Sequence, residues 1–150
     1  MKIDGGCHCG KVRYEAEVDP ANVLICHCTD CQTFSGSAFR TVVPTNAGTF
    51  VLRSGTPKIY VKTAESGNKR QQTFCPDCGS PVYSAPADGS TKVVVLRVGT
   101  IRQRNQLTPR DQYWFRSSQG WLQTLSTIKK QDKQPVFEET GTLRSPRQSR

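Results

Sequence analysis

The spacing of seven cysteines constrains this chain more than any other feature of its sequence. They fall into three short clusters, which read CHC at residues 7–9, CHCTDC at residues 26–31 and CPDCG at residues 75–79. Seven thiols cannot all pair as disulfides, and cysteines two or three residues apart are typical zinc ligands. The N-terminus has no apolar stretch like that of a secretory signal, so we expect a cytoplasmic protein with reduced thiols. The clusters therefore predict two zinc ions per chain.

The cluster at residues 75–79 has the form of a zinc knuckle. Its proline presets φ for a turn, and its final glycine can adopt the positive φ that points backbone N–H groups at a sulfur. A structural zinc needs four ligands, of which the knuckle supplies Cys75 and Cys78. The glycine-flanked Cys7 and Cys9 would complete the site and tie two distant segments together. In the alternative, which the spacing leaves open, two cysteines of the middle cluster join the knuckle.

The middle cluster contributes Cys26, Cys28 and Cys31, three thiols within six residues. Three protein ligands and one open position are typical of a catalytic zinc, whereas structural zinc sites are closed. A short helix over residues 30–35, with Thr29 as its N-cap, would place Cys31 in the first turn, where the helix dipole favours a thiolate. We therefore predict a catalytic zinc on these three cysteines. The alternative is a second closed site, for which the candidate fourth ligands are His8, His27 and Asp30.

Short stretches of alternating or β-branched residues predict a mainly β fold. Over residues 12–18, apolar side chains alternate with charged ones, which is the period of a half-buried strand. Further strands are expected between Gly, Pro and Asn turn signals. They cover residues 23–26, 38–43, 49–52, 58–62, 70–74, 82–84 and 92–99. This arrangement is typical of small antiparallel sheets.

The C-terminal third is less regular and more basic than the rest. Residues 100–135 are expected to form loop plus strand packed over the core. From residue 138 the sequence ETGTLRSPRQSR is polar, which predicts one domain over residues 1–137 and a flexible basic tail over residues 138–150. The formal net charge is +9, and ten basic and four acidic side chains in residues 101–150 account for +6 of it.

Nucleic acid and membranes are not expected as partners. The basic tail lacks the aromatic side chains on which single-stranded bases stack, and the remaining basic residues form no stripe. The sequence also lacks an apolar run of about 18 residues, the length that a transmembrane helix needs. No oligomeric state is predicted.

The cysteine clusters with their flanking residues resemble the glutathione-dependent formaldehyde-activating enzyme family, also called the centromere-protein-V-like family. The resemblance rests on GGCHCGKVRYEAEV, CHCTDCQTFSGSAF and FCPDCGSPVY in this order, and it covers roughly residues 3–137. It implies a β-tent fold of small antiparallel sheets around a structural zinc. It also implies two ligand sets, which are Cys7, Cys9, Cys75 and Cys78 for the structural zinc and Cys26, Cys28 and Cys31 for a labile catalytic zinc.

The family's named reaction is the addition of the glutathione thiol to formaldehyde, which gives S-hydroxymethylglutathione. The resemblance therefore implies a zinc-dependent enzyme of the carbon–sulfur lyase type whose partner is glutathione or another small thiol. The chain differs from the family's usual pattern at Arg102, where an acidic residue is common, and at Gln112, where a histidine is common. We expect both positions to line a substrate cleft, so the substrate itself stays open.

Two other functions fit the same residues. The positive charge suits a non-catalytic, zinc-stabilised module that binds an anionic partner. An exposed thiol triad also suits a redox role or a site that releases zinc readily, because low-pKa thiolates oxidise easily.

Several other side chains are candidates for roles near the open site. Three arginines could hold a substrate carboxylate, although in a basic protein we expect them on the surface; they are Arg40, Arg97 and Arg102. Three residues that follow the triad are expected at its rim, with the core as an alternative for the first; they are Phe34, Ser35 and Gly36. Three aromatic residues are expected in the core or in a cleft wall; they are Tyr113, Trp114 and Trp121.

Overall fold

The computed structural model describes residues 1–134, 136–137 and 143–144 of the chain. The chain divides into two compact units, Met1–Ser118 and Gln119–Arg150. Strands dominate the first unit, so the predicted mainly β class is confirmed. Its strands are β1 (Lys2–Gly6), β2 (Arg13–Glu17), β3 (Leu24–Cys26), β4 (Arg40–Pro44), β5 (Val51–Ser54), β6 (Lys58–Thr63), β7 (Lys69–Phe74), β8 (Pro81–Pro86), β9 (Val95–Arg97) and β10 (Asp111–Tyr113).

The strands of the first unit form two sheets. One has three strands in the order β1-β2-β5, and the other has seven in the order β10-β3-β4-β9-β8-β7-β6. Among the described residues every strand pair is antiparallel except β10 with β3, which is parallel. The predicted antiparallel pairing is therefore confirmed for the described strands, apart from this one parallel edge. A parallel neighbour needs a long connection, and the chain between β9 and β10 supplies one.

Apolar side chains from both sheets form one core cluster. Tyr14 and Ala16 of β2 are buried, as the alternating pattern predicts. They belong to the same cluster as Val43, Val82 and Leu96 of the larger sheet. The two sheets therefore share one apolar core, which also includes Cys7 and Cys75.

The sequence pattern does not predict β1, because two of its five residues are glycines. A Cβ at Gly5 would lie 2.4 Å from the carbonyl oxygen of Thr100 and 2.5 Å from the hydroxyl of Tyr14. A Cβ at Gly6 would lie 2.3 Å from the carbonyl oxygen of Val12. Glycine in this strand thus permits a close backbone approach, and β1 leads directly into Cys7.

One α-helix, α1 (Thr29–Ser35), follows β3 and carries part of the middle cysteine cluster. The short helix was predicted with Thr29 as its N-cap, but the N-cap is Cys28, whose sulfur accepts a hydrogen bond from the backbone N–H of Cys31 at 3.4 Å. The helix ends at Gly36, which has φ +60°. Cys28 therefore caps the start of the helix in addition to any role as a metal ligand.

The region after β9 differs from its prediction in detail. The strand expected over residues 92–99 is limited to β9, and a 3-10 turn, Val98–Thr100, follows it. Between residues 100 and 118 the chain forms β10 and two further 3-10 turns, Arg104–Gln106 and Phe115–Ser117.

The second unit contains a 3-10 segment, Gly120–Thr127, and two strands, β11 (Val136–Phe137) and β12 (Leu143–Arg144), which pair antiparallel. Most of the predicted tail, residues 138–150, lies outside the described residues, so the domain and tail boundaries stay predictions. None of the described helices has the length and apolar character that crossing a bilayer requires.

Candidate metal centres

Four cysteine sulfurs from two distant turns meet in the first unit. The Sγ atoms of Cys7, Cys9, Cys75 and Cys78 all lie within 4.8 Å of one another. The Cys7 and Cys9 sulfurs are 3.5 Å apart, and the Cys9 and Cys75 sulfurs are 3.8 Å apart. A tetrahedral zinc with Zn–S bonds of about 2.3 Å requires sulfur separations of roughly 3.8 Å. The spacing of this cluster therefore fits a four-thiolate metal site.

Backbone hydrogen bonds shape both turns of the four-thiol cluster. In the first, the N–H of Val12 donates to the Cys7 sulfur at 3.3 Å. In the second, the N–H of Gly79, a residue with φ +70°, donates to the carbonyl oxygen of Cys75 at 2.9 Å. The Val12 bond goes to a sulfur itself, and such a donor matters because four thiolates on a divalent ion leave excess negative charge, whereas the Gly79 bond shapes the turn.

Contacts between the two turns hold the four sulfurs in place. The backbone N–H of His8 donates to the hydroxyl of Ser80 at 3.1 Å, and Lys11 forms an ion pair with Asp77 at 2.6 Å. The Ser80 hydroxyl lies 3.3 Å from the sulfur of Cys78, and hydrogen bonding to Ser80 lowers the pKa of Cys78 to about 5. Protein contacts by themselves therefore hold the two turns together.

The second cluster brings together the sulfurs of Cys26, Cys28 and Cys31, again within 4.8 Å of one another. Cys26 ends β3, Cys28 caps α1 and Cys31 lies in the first turn of that helix. The Cys26 and Cys28 sulfurs are 3.5 Å apart, and all three side chains are half-buried. Three thiols thus converge at a site that solvent and small molecules can reach.

Hydrogen bonding within the triad favours a thiolate at one of its members. The pKa of Cys26 is lowered to about 5, mainly because the Cys31 thiol hydrogen-bonds to its sulfur. Burial opposes this shift, and the backbone N–H of Cys28 adds to it. The pKa of Cys31 is raised, because its neighbour Cys26 takes the negative charge. A cluster that stabilises a thiolate in this way is prepared to bind a cation.

No fourth His, Cys, Asp or Glu joins the triad among the described residues. His27 is 1% exposed, its Nε2 lies 2.8 Å from Oε1 of Gln112, and its ring packs edge-on against two phenylalanines. Asp30 is paired with Lys62. His8 lies in the other cluster, between Cys7 and Cys9, and its backbone N–H donates to Ser80. The alternative of a second closed site therefore has no support from these three side chains.

The two positions that differ from the family's usual pattern lie in different places. Gln112 lies in β10 and bonds His27, next to the triad. Arg102 is exposed, pairs with Asp4 at 2.9 Å and lines a depression beside the four-thiol cluster. Arg102 therefore does not line the triad, contrary to the expectation of a shared cleft.

The expected surface position of the other two arginines is wrong. Arg40 and Arg97 are 6% and 7% exposed and line one cavity together with Phe34. The position of Phe34 at the rim of the triad stays a prediction. Sequence reasoning also missed Gln72, whose side-chain oxygen accepts hydrogen bonds from both guanidinium groups. The only sequence signal for a buried glutamine was that Gln71 and Gln72 are adjacent in a predicted strand. Successive side chains of a strand face opposite sides, so one of the two must face inward.

The three candidate aromatic residues are more exposed than expected. Tyr113 is 53% exposed and Trp114 is 38% exposed. Trp114 has φ +57°, and the guanidinium carbon of Arg116 lies 4.9 Å from the centroid of its ring. Trp121, at 47% exposed, belongs to the second unit. A core position is therefore wrong for these three residues.

Comparisons with known proteins agree with this fold and these clusters. The family model described as glutathione-dependent formaldehyde-activating enzyme matches residues 2–117. A solved structure of a Rhodobacter sphaeroides protein, a structural-genomics target, is 18% identical with a TM-score of 0.55, and the match covers 75% of this chain and 99% of that one. At that identity the similarity shows a shared fold. Because the family model spans well over half of the sequence, the chain belongs to the glutathione-dependent formaldehyde-activating enzyme family.

Proposed function

We propose that this protein is a zinc-dependent enzyme of the carbon–sulfur lyase type that acts on adducts of glutathione or another small thiol. The observation that carries the proposal is the three-thiol cluster, which has no fourth protein ligand among the described residues and is partly exposed. Structural metal sites are closed by four ligands, whereas catalytic sites keep one position for substrate. Family membership supports a glutathione-related activity.

The donor atoms of both clusters suit zinc. All seven are cysteine sulfurs, and thiolates select soft or borderline ions such as zinc over calcium, magnesium or manganese. In the proposal Cys7, Cys9, Cys75 and Cys78 hold a structural ion, and Cys26, Cys28 and Cys31 hold a catalytic ion that is lost more easily. Thiols must stay reduced for both sites to form, which agrees with the expected cytoplasmic location.

The reaction forms one carbon–sulfur bond. The sulfur of the thiol attacks the aldehyde carbon, the carbonyl π bond breaks, and the thiol proton ends on the oxygen, so that the product is a hydroxymethyl thioether; the lyase direction is the reverse. Zinc at the triad would supply a Lewis acid that lowers the pKa of a substrate thiol or polarises a carbonyl.

The chain itself contributes position and charge. β3 and α1 hold the three sulfurs within 4.8 Å of one another, and the cation of Arg40 lies close enough for the three thiols to raise its pKa against the larger effect of burial. A thiolate-rich site with adjacent positive charge is better suited to binding a further thiolate than to ionising water.

The test measures exchange between formaldehyde and its thiol adduct. With 13C-formaldehyde and glutathione at equilibrium, NMR exchange spectroscopy gives the interconversion rate, and a protein-free sample gives the background. We expect the zinc-loaded protein to raise this rate and Cys26→Ser or Cys31→Ser to return it to background. Thr29→Ala, an exposed neighbour that is not a ligand, is the matched control and should keep the rate.

Native mass spectrometry of the same samples counts zinc ions and thiol adducts. If the zinc-loaded protein neither accelerates exchange nor retains any adduct from a panel of small thiols, the proposed function is wrong.

A further inference from the structure

A cavity of about 330 Å³ in the first unit combines an apolar wall with two buried cations. The wall includes Phe34, Tyr60 and Phe74, and the cations are Arg40 and Arg97. This volume lies at the lower end of the range for small-molecule sites, which typically pair apolar walls with a few placed polar groups. The cavity is therefore large enough for a compact organic ligand.

Neither guanidinium group uses all of its hydrogen-bond donors within the described part of the chain. Arg40 donates to Oε1 of Gln72 at 3.2 Å, and Arg97 donates to the same oxygen at 2.8 Å and to the carbonyl oxygen of Val95 at 3.4 Å. Nε and one terminal nitrogen of Arg40, and Nε of Arg97, are buried without a partner among the described residues. Buried donors of this kind are rare in native proteins and call for an explanation.

The two charges also lack a carboxylate partner. Within the described part of the chain, no Asp or Glu forms an ion pair with either arginine. Burial, together with the charge of Arg40, lowers the pKa of Arg97 to about 9, and burial also lowers the pKa of Arg40. The triad thiols favour the charged form of both groups from nearby, but a further anion that contacts them directly would also offset the repulsion between two like charges that share one neutral glutamine oxygen in a buried place.

Strand register places this cation pair next to the thiol triad. Cys26 of β3 lies directly opposite Arg40 of β4, and residues paired across antiparallel strands project to the same face. Arg97 of β9 pairs with Val42, two positions along β4 from Arg40, so both arginines lie on that face.

The helix α1 connects the cavity wall to the same triad. Phe34 lies three residues after Cys31, on the same side of the helix, and the guanidinium carbon of Arg40 lies 5.5 Å from the centroid of its ring. Two residues that line the cavity, Arg40 and Phe34, are thus direct neighbours of triad cysteines, one across the sheet and the other along the helix.

We infer that Arg40 and Arg97 form a carboxylate subsite and that the substrate is a small thiol carrying a carboxylate, held at one end by the arginines and at the other by the triad. A guanidinium group binds a carboxylate through two parallel hydrogen bonds, and the unpartnered N–H groups are the donors for it. The thiol end of this inference rests on the proposed function, whereas the carboxylate end rests on the cavity alone.

The carboxylate end is tested with 3-phenylpropionate, which has a carboxylate and an apolar body but no thiol. Titrated into the zinc-loaded protein, it should shift the side-chain Nε–H NMR signals of Arg40 and Arg97 saturably. Arg97→Lys should weaken binding, and Arg97→Met should abolish it. Arg53→Gln, which alters an exposed arginine paired with Glu15, is the control and should bind as before.

Thermal stability separates a binding role from a structural one. If the buried Arg97 is kept for an anion, Arg97→Met should melt at or above the temperature of the ligand-free wild type, because an unpaired buried charge is replaced by an apolar side chain. If Arg97 instead supports the fold, Arg97→Met should melt lower, and the inference is overturned. Should Arg97→Met fail to fold, that result counts with the structural role.

The thiol end is tested by comparing 3-mercaptopropionate with 2-mercaptoethanol on protein whose triad carries cobalt, where thiolate binding changes the absorption spectrum. We expect the acid to bind at least about tenfold more tightly, the effect of one charge-assisted contact, and Arg97→Lys to reduce the difference. Equal affinities would overturn the carboxylate subsite while leaving the proposed function intact. Binding of 3-phenylpropionate with no response to any thiol would support the subsite and contradict the proposed function.

Discussion

The four-thiol cluster should stabilise the fold far more than the triad does, and Cys9→Ser tests this. Cys9 is exposed, so serine removes a ligand without leaving a cavity or burying a hydroxyl. The matched change in the other cluster is Cys28→Ser. Serine is a favoured N-cap, so this variant removes a ligand while keeping the start of α1.

The expected magnitude follows from the chain length that each cluster closes. Cys9 and Cys75 are separated by 66 residues, and a cross-link across such a loop removes about 4 kcal/mol of conformational freedom from the unfolded chain by the relation used for disulfides. The triad spans only residues 26–31, from the end of β3 to the first turn of α1, and for so short a loop the same relation gives about 2 kcal/mol or less. For a domain of this size 1 kcal/mol corresponds to roughly 4 °C, so Cys9→Ser should lower the melting temperature by about 15 °C.

Differential scanning calorimetry of the zinc-loaded proteins measures the two shifts, and zinc content is determined on the same samples. Wild type treated with a strong chelator should melt close to Cys9→Ser, because both lack the cross-link. If Cys28→Ser loses as much stability as Cys9→Ser, the division of roles between the clusters is wrong. The same holds if Cys9→Ser has lost zinc yet melts within a few degrees of wild type.

Three further changes probe the core and its titration. Tyr14→Phe removes a buried hydroxyl 2.8 Å from Oγ1 of Thr100 and should cost about 1 kcal/mol in urea unfolding; an unchanged midpoint would contradict this. Gly5→Ala places a Cβ 2.4 Å from the carbonyl oxygen of Thr100 and should cost about 1–3 kcal/mol, whereas Gly99→Ala, with no atom within 4 Å, should change stability by less than about 0.5 kcal/mol in the same assay. Burial raises the pKa of Tyr14 to about 12, so stability that is fully present below the unfolded pKa of about 10 should fall as pH rises through the folded value, by up to about 3 kcal/mol. Tyrosinate absorbance followed with unfolding should show this, and Tyr14→Phe should flatten the decline; an equally steep decline in that variant would refute it.

Local pattern was enough to predict several elements of this fold. The alternation over residues 12–18 corresponds to β2 with Tyr14 and Ala16 buried, because a strand's side chains alternate between faces whatever lies around it. The short helix after the middle cluster was also predicted, although its N-cap is Cys28 and not Thr29. Its start was misplaced because a cysteine sulfur, an uncommon cap, accepts the hydrogen bond that a threonine oxygen usually accepts.

Elements that depend on distant partners were not predictable from local pattern. β1 contains two glycines, and only the proximity of Tyr14 and Thr100 explains why they are there. β10 is a strand because it lies parallel to the edge of β3, which no feature of its three residues indicates. Arg40 and Arg97 look like surface residues in a basic sequence, and only the register of β4 with β9 brings them together in one cavity.

The cysteine clusters show where the division lies. Spacings of two or three residues keep the sulfurs of each cluster close in almost any fold, so the sequence by itself determined that each cluster can supply neighbouring metal ligands. Which clusters combine was a choice between two pairings, and the tertiary structure decided it by bringing residues 7–9 next to residues 75–78 and leaving the triad apart. The physical reason is that short-range geometry follows from bond lengths and turns, whereas contacts between distant segments depend on which sheets share a core. The same long-range packing buried Arg40 and Arg97 beside the thiol triad, where neither has a carboxylate partner among the described residues.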